Sequence, residues 1–70
     1  MTTVMSTTEI ADAIVADWVR RHQLDPHHVT EKEALAMMRR MMALTEYSQA
    51  RARAYITAAL RRFRFAHITA

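Results

Sequence analysis

The 70-residue chain contains no cysteine, no glycine and only one proline. The absence of cysteine excludes disulfides and every metal site that depends on thiolate ligands. Glycine has no Cβ and adopts the positive φ angles of tight turns without a steric penalty, and sheet-rich folds need many such turns. Because Ala, Arg, Met, Leu and Glu are abundant instead, we predict an all-α fold of helices joined by short connections.

Long hydrophobic runs are also missing. The first apolar stretch, residues 10–19, is interrupted by Asp12 and Asp17, and the Thr-rich N-terminus has no basic start. This pattern predicts neither a signal peptide nor a membrane span. Together with the lack of cysteine it favours a cytoplasmic protein with no membrane partner.

The small size of the chain limits its core. A chain of this length buries only about 60% of the surface that it exposes when unfolded. Disulfides and cysteine-based metal sites are excluded, so a second copy of the chain is the expected supplement to the core. We therefore expect one helical domain over residues 1–70 that forms a homodimer.

The charges are unevenly distributed. Residues 1–35 carry three basic and six acidic side chains, whereas residues 36–70 carry seven Arg and one Glu. The net charge of +3 thus hides an acidic half and a strongly basic half. A basic half of this kind favours an anionic partner, although a genome that encodes Arg in place of Lys would also produce many Arg.

Two capping boxes mark the starts of the first two helices. Residues 6–9 (STTE) and 30–33 (TEKE) each place a hydroxyl three positions before a Glu. Pro26 disfavours helical geometry just before it, so a loop should separate the two helices. The spacing of apolar residues then predicts helices over about 7–23 and 31–45.

The third helix has the clearest periodicity and should cover about 48–67. Trp18 and Phe63 lie at the centres of the first and third apolar stripes, so we expect them to share one core. Nothing between Thr30 and Arg64 forces a break, and a strict heptad-like spacing there makes one long C-terminal helix the alternative. We favour a break near residues 45–48, which gives a small three-helix bundle.

No arrangement of catalytic residues is recognisable in the sequence. The acidic residues are scattered over helix starts and outer faces, and no glycine-rich phosphate loop exists. His22, His27 and His28 cluster around the first loop, where Asp25 would complete a set of metal ligands. Exposed histidines without a specific role explain the same cluster, so we expect no enzyme activity, no metal and no cofactor.

The segment 37–42 (MMRRMM) is the most unusual stretch of the chain. Its four Met cover an arc of about 140° on a helix, which is wide for one small core. A core filled with Met is one interpretation, and a surface that meets another chain is the other. We expect the interface to use six residues on the second and third helices: Met37, Met41, Leu44, Ala54, Ala58 and Phe65.

Arginines decorate both flanks of the third helix. Their helical spacing is typical of a helix that lies along a groove and contacts phosphates, and polar residues at its start would reach base edges. The alternative is a solvated face that keeps the protein soluble. The candidate nucleic-acid contacts are Ser48, Gln49, Arg51, Arg53, Arg61, Arg62 and Arg64.

This layout, a helix pair followed by an Arg-rich third helix, loosely resembles that of helix-turn-helix regulators. It departs from their motif because the second helix would be about four turns long and no glycine is present for the turn. The resemblance concerns only the order of the helices, and it assigns no functional role to any residue of this chain. The leading expectation is a small regulatory or accessory protein that binds double-stranded DNA. The alternative is an interaction module that uses its Met-rich and Arg-rich surfaces against an acidic protein.

Overall fold

The computed structural model describes residues 5–68, with the side chains of residues 5–64. This part of the chain forms three helices, α1 (Thr7–His22), α2 (Glu31–Thr45) and α3 (Gln49–Ile68). Each helix packs against the other two. The described residues include no strand and no helix long and apolar enough to cross a membrane. The predicted all-α three-helix bundle is confirmed.

Both predicted capping boxes are present. The backbone N–H of Glu9 donates to Ser6 Oγ, and the N–H of Ser6 donates back to the Glu9 carboxylate, each at 3.2 Å. Thr30 and Glu33 exchange the equivalent pair of bonds at the start of α2. These bonds satisfy backbone donors that have no partner within the helix, which is why α1 and α2 begin where the sequence predicts.

The ends of α1 and α2 use left-handed residues that are not glycine. Gln23 has φ 53° and Glu46 has φ 61°, and each donates its backbone N–H to the last turn of the preceding helix. Left-handed geometry is unfavourable for a residue with a Cβ by roughly 1–2 kcal/mol. The two caps therefore retain local strain in a chain that has no glycine to relieve it.

The break between α2 and α3 is produced by local hydrogen bonds. The Thr45 hydroxyl donates to the carbonyl of Met41 at 2.7 Å and accepts from the N–H of Tyr47 at 3.3 Å. The Ser48 hydroxyl then accepts from the N–H of Arg51 at 3.3 Å, at the start of α3. The alternative of one continuous C-terminal helix is therefore wrong.

The core is small and is built largely from Met, Ala and β-branched side chains. Ten residues, drawn from all three helices, make up its buried apolar set: Ala11, Ile14, Val15, Val19, Met37, Met38, Met41, Ala52, Ile56 and Ala59. Met37 and Met41 have no exposed surface at all. Three of the four Met in the segment 37–42 are therefore enclosed by the three helices. Their flexible thioether side chains can fill irregular gaps in a small core.

Trp18 and Phe63 occupy the edge of the core and not its centre. Both are only partly buried and pack against the buried cluster. His22, one of the three histidines around the first loop, is exposed and its ring lies 5.2 Å from that of Trp18. The prediction that Trp18 and Phe63 share one core is confirmed, since both pack against the same buried cluster, whereas Val15 and Ile56 are buried more completely than either.

Candidate nucleic-acid interface

α3 directs its apolar side toward α1 and α2 and leaves its arginines outside. Ala52, Ile56 and Ala59 are buried, so positions about 180° away on the helix face solvent. α3 contains no acidic residue. Four of its arginines are exposed and the fifth is half-buried; in chain order they are Arg51, Arg53, Arg61, Arg62 and Arg64.

Arg53 and Arg61 border a shallow depression of about 390 Å³ on the solvent side of α3. Its remaining lining consists of small side chains: Ala50, Ala54, Thr57 and Ala58. We call these six residues the α3 outer face. The two arginines are eight positions apart, about 12 Å along the helix axis. A polyanionic backbone can therefore approach the helix closely between two guanidinium groups.

Two arginines of α3 make ion pairs with the neighbouring helices. Arg53 contacts Glu31 of α2 at 2.8 Å, and Arg62 contacts Asp12 of α1 at 2.7 Å. All four side chains are substantially exposed. These pairs fix the direction of the two arginines without desolvating them, which the spacing of residues along one helix could not predict.

Arg51 is held against aromatic rings at the start of α3. Its guanidinium carbon lies 4.5 Å from the centroid of the Tyr47 ring, and Tyr47 stacks on Tyr55 with centroids 5.6 Å apart. The Tyr47 hydroxyl also forms a hydrogen bond with the Thr7 hydroxyl at 3.0 Å. Arg51 is thereby ordered on the flank of α3 that faces α1, a role that sequence spacing missed.

The other predicted contact residues have different surroundings. The Ser48 hydroxyl is used for the cap of α3, and Gln49 is exposed beside it. Arg64 lines a cleft with Pro26, Val29 and other residues of the first loop and α2. Arg61 forms no ion pair with any residue that the structure describes. Of the two arginines of the α3 outer face, only Arg53 is paired with a carboxylate of the described residues.

The predicted interface residues do not form one surface. The expectation that Met37 and Met41 meet another chain is wrong for this fold, because both are completely buried within it. Leu44 is 53% exposed and lies in a cleft between α1 and α2. Ala54 and Ala58 belong to the α3 outer face, and the side chain of Phe65 lies outside the described residues.

The Asp25 carboxylate contacts the backbone of His27 and the ring of His28. Asp25 accepts a hydrogen bond from the backbone N–H of His27 at 2.9 Å, and its other oxygen lies 2.7 Å from His28 Nδ1. The bond from the His27 backbone, followed by that from His28, lowers the pKa of Asp25 below its ordinary value. Within residues 5–64, no group of three His, Cys, Asp or Glu is placed to hold a metal ion.

Comparisons with protein-family models, with curated proteins and with solved structures give no match to this chain.

Proposed function

We propose that this protein binds double-stranded DNA through the α3 outer face, with Arg53 and Arg61 on the phosphate backbone. The observation that carries the proposal is the pairing of these two exposed arginines across a floor of small side chains, on a helix without acidic residues. Arg61 is unpaired within the described residues, so binding it to phosphate breaks no existing contact. A helix about 10–12 Å wide fits the major groove of DNA, which is about 12 Å wide.

The ion pair of Arg53 does not oppose this function strongly. Arg53 and Glu31 are 56% and 71% exposed, and an exposed pair of this kind contributes only about 0–1 kcal/mol. Exchanging the carboxylate of Glu31 for a phosphate therefore costs little.

Arg51 and Arg62 extend the same basic helix toward α1. Arg51 lies on the Tyr47 ring and Arg62 on Asp12, so both guanidinium groups have defined positions beside the α3 outer face. Backbone contacts of this kind position a protein on DNA without specifying a sequence. We include in the proposal a small regulatory or accessory role on DNA in the cytoplasm, in which these contacts hold the protein on the duplex and do not themselves read its sequence.

The test compares two double variants that lose the same charge. Arg53→Gln with Arg61→Gln removes the arginines of the α3 outer face, whereas Arg20→Gln with Arg39→Gln removes two exposed arginines from α1 and α2. Fluorescence anisotropy with labelled duplex DNA, at several salt concentrations, measures affinity. We expect the first variant to bind at least about tenfold more weakly, with a salt dependence reduced by about two phosphate contacts. The second variant should bind almost as the parent does.

Two results would reject the proposal. The first is a parent protein that does not bind duplex DNA at low salt, in which case binding of an acidic polypeptide to the same arginines would indicate a protein partner. The second is equal weakening by the two double variants, which would show that net charge matters and that the α3 outer face does not.

A further inference from the structure

A cleft of about 700 Å³ lies between α1 and α2 and is lined by no residue of α3. We call it the α1–α2 cleft; its apolar lining residues are Met5, Ile10, Ala13, Ile14, Trp18 and Leu44. Met5 is 45% exposed and Leu44 is 53% exposed, and such side chains gathered around one hollow mark an interaction site. Sites for small molecules usually measure about 300–1,000 Å³ and combine an apolar lining with a few charged or polar groups. The α1–α2 cleft has the size and the lining of such a site.

The two helices run antiparallel on either side of the cleft. The loop 23–30 joins the end of α1 to the start of α2. A hydrogen bond of 3.0 Å joins the hydroxyl of Thr7, at the start of α1, to that of Tyr47, which follows α2. The start of α1 therefore lies beside the end of α2, and the lining residues can be placed in order along the cleft.

This order gives the α1–α2 cleft an apolar end and a charged end. Ile10 of α1 and Leu44 of α2 line the end that is away from the loop. Asp17 and Arg21 of α1 and Arg40 of α2 line the cleft closer to the loop. Arg21 lies eleven positions after Ile10, which is about 16 Å along the helix axis. An elongated molecule with an apolar tail and a charged head matches this arrangement.

The unpaired charge of the cleft is positive. Asp17 is already bound by two arginines, Arg20 at 3.4 Å and Arg21 at 3.0 Å. Arg40 is exposed and pairs with no carboxylate of the described residues. An anionic head would gain Arg40 as a partner without breaking an ion pair, whereas a cationic head would have to displace arginines from Asp17. The charges of the cleft therefore favour an anion.

We infer that the α1–α2 cleft binds a free long-chain carboxylic acid, with the alkyl chain at the apolar end and the carboxylate on Arg40. Burying the methylene groups of the chain removes apolar surface from water. A guanidinium group offers a carboxylate two parallel hydrogen bonds, which a neutral head group cannot match. A second copy of this chain fits less well, because the net positive rims of the two copies would repel each other. The inferred site goes beyond DNA binding and does not depend on it.

Tryptophan fluorescence of the full chain, without DNA, tests the inference. Trp18 lines the cleft and is the single tryptophan of the sequence, so its emission reports on this site. Dodecanoate, kept below the concentration at which it forms micelles, should shift the emission to shorter wavelength in a saturable way, because the alkyl chain displaces water from the indole. Equilibrium dialysis should give one dodecanoate per chain. Dodecanol has the same alkyl chain without the charge and should bind about tenfold more weakly.

Two pairs of variants test the two ends of the cleft. Arg40→Gln should weaken dodecanoate binding by about tenfold, close to the level of dodecanol, whereas Arg39→Gln, on an exposed position outside the cleft, should not. Leu44→Gln should weaken the binding of both ligands by about threefold or more, because it removes apolar surface. Ala43→Gln, on the neighbouring exposed position, is its matched control. Circular dichroism checks that all four variants are folded.

Four results would overturn the inference. The first is an absence of dodecanoate binding in both measurements. The second is binding of several acids per chain without saturation, which is the action of a detergent. The third is equal affinity for dodecanoate and dodecanol together with equal effects of Arg40→Gln and Arg39→Gln, which would show that no anion is recognised. The fourth is a dimer in sedimentation velocity that Leu44→Gln dissociates and Ala43→Gln does not, which would assign the cleft to a second copy. None of these results bears on DNA affinity, which is measured separately with the variants of α3.

Discussion

Arg62 donates two hydrogen bonds to a single carboxylate oxygen of Asp12, from Nη2 at 2.7 Å and from Nε at 3.1 Å. This contact joins α3 to α1 across 50 positions of the sequence. It is the clearest polar link between the basic helix and the acidic half of the chain. Its strength is limited by water, because each side chain is 46% exposed.

A double-mutant cycle measures what this ion pair contributes to stability. Asp12→Asn, Arg62→Gln and the double variant should give a coupling free energy of about 0.2–1 kcal/mol in urea denaturation, since exposed pairs are screened. Asp12→Asn with Arg39→Gln is the control cycle and should give no coupling. A coupling above about 2 kcal/mol would contradict the exposure of the pair, since only desolvated pairs reach that range.

Removing the carboxylate of Glu31 should strengthen DNA binding. Glu31→Gln frees Arg53 from its ion pair, so affinity at low salt should rise by up to about fivefold. Glu9→Gln is the matched control, because it removes the same charge and a Gln still completes the capping box. Anisotropy titrations in which both variants gain equally would show that the effect comes from net charge.

Glycine at the end of α2 should stabilise the protein. Glu46 has φ 61°, so Glu46→Gly should raise the free energy of unfolding by about 1 kcal/mol by removing the Cβ clash. Glu46→Ala keeps the Cβ and should give no such gain. Urea denaturation of the two variants decides the matter, and a glycine variant no more stable than the alanine variant would contradict a left-handed cap.

Truncating the buried Met should unfold the chain. Met37→Ala and Met41→Ala should each lower the free energy of unfolding by about 2–5 kcal/mol, which is a large fraction of the stability of a small domain. Leu44→Ala should cost far less at low protein concentration, because Leu44 is 53% exposed. Thermal melts followed by circular dichroism test this. A folded double variant, Met37→Gln with Met41→Gln, would mean that these residues lie on a surface.

The turn at Asp25 should make a pH-dependent contribution to stability. Its hydrogen bonds lower the pKa of Asp25 in the folded chain below the ordinary 3.8. The contribution is therefore complete above pH 3.8 and is lost as the pH falls through the lower, folded value. An NMR titration of the carboxyl group measures that pKa directly, and Asp25→Asn should remove this part of the pH dependence.

A variant of the second histidine separates the two causes of the pKa shift. The bond from the His27 backbone is the larger cause and that from the His28 side chain the smaller. His28→Ala should therefore leave most of the lowering in place. A carboxyl that titrates at 3.8 or above in the parent would contradict the turn geometry.

Local chemistry explains why the helix boundaries were predictable. Each capping box spans four neighbouring residues, so Ser6 and Thr30 could be recognised without any knowledge of packing. The break at Thr45–Ser48 also depends on short-range hydrogen bonds. The left-handed conformations of Gln23 and Glu46 had no such signal, because the usual indicator is a glycine and the chain has none.

The candidate sites were only partly predictable, because they depend on the other helices. Spacing along α3 correctly indicated that its arginines avoid the core, but not that Arg62 contacts Asp12 or that Arg51 lies on Tyr47. The spacing of residues along α3 cannot show which of the other two helices packs against each side of it. The stacking of Tyr47 on Tyr55 was not predicted, because Tyr47 precedes α3 and its position depends on how the chain enters that helix.

The helical class, the starts of α1 and α2 and the basic character of α3 follow from residue composition and from interactions within a few positions, so they could be read from the sequence. Which apolar residues are covered depends instead on how the helices pack together. Met37 and Met41 are enclosed whereas Leu44, on the same helix, stays exposed. That difference depends on how α1 and α3 approach α2, and burial is a property of the packed bundle and not of any single helix.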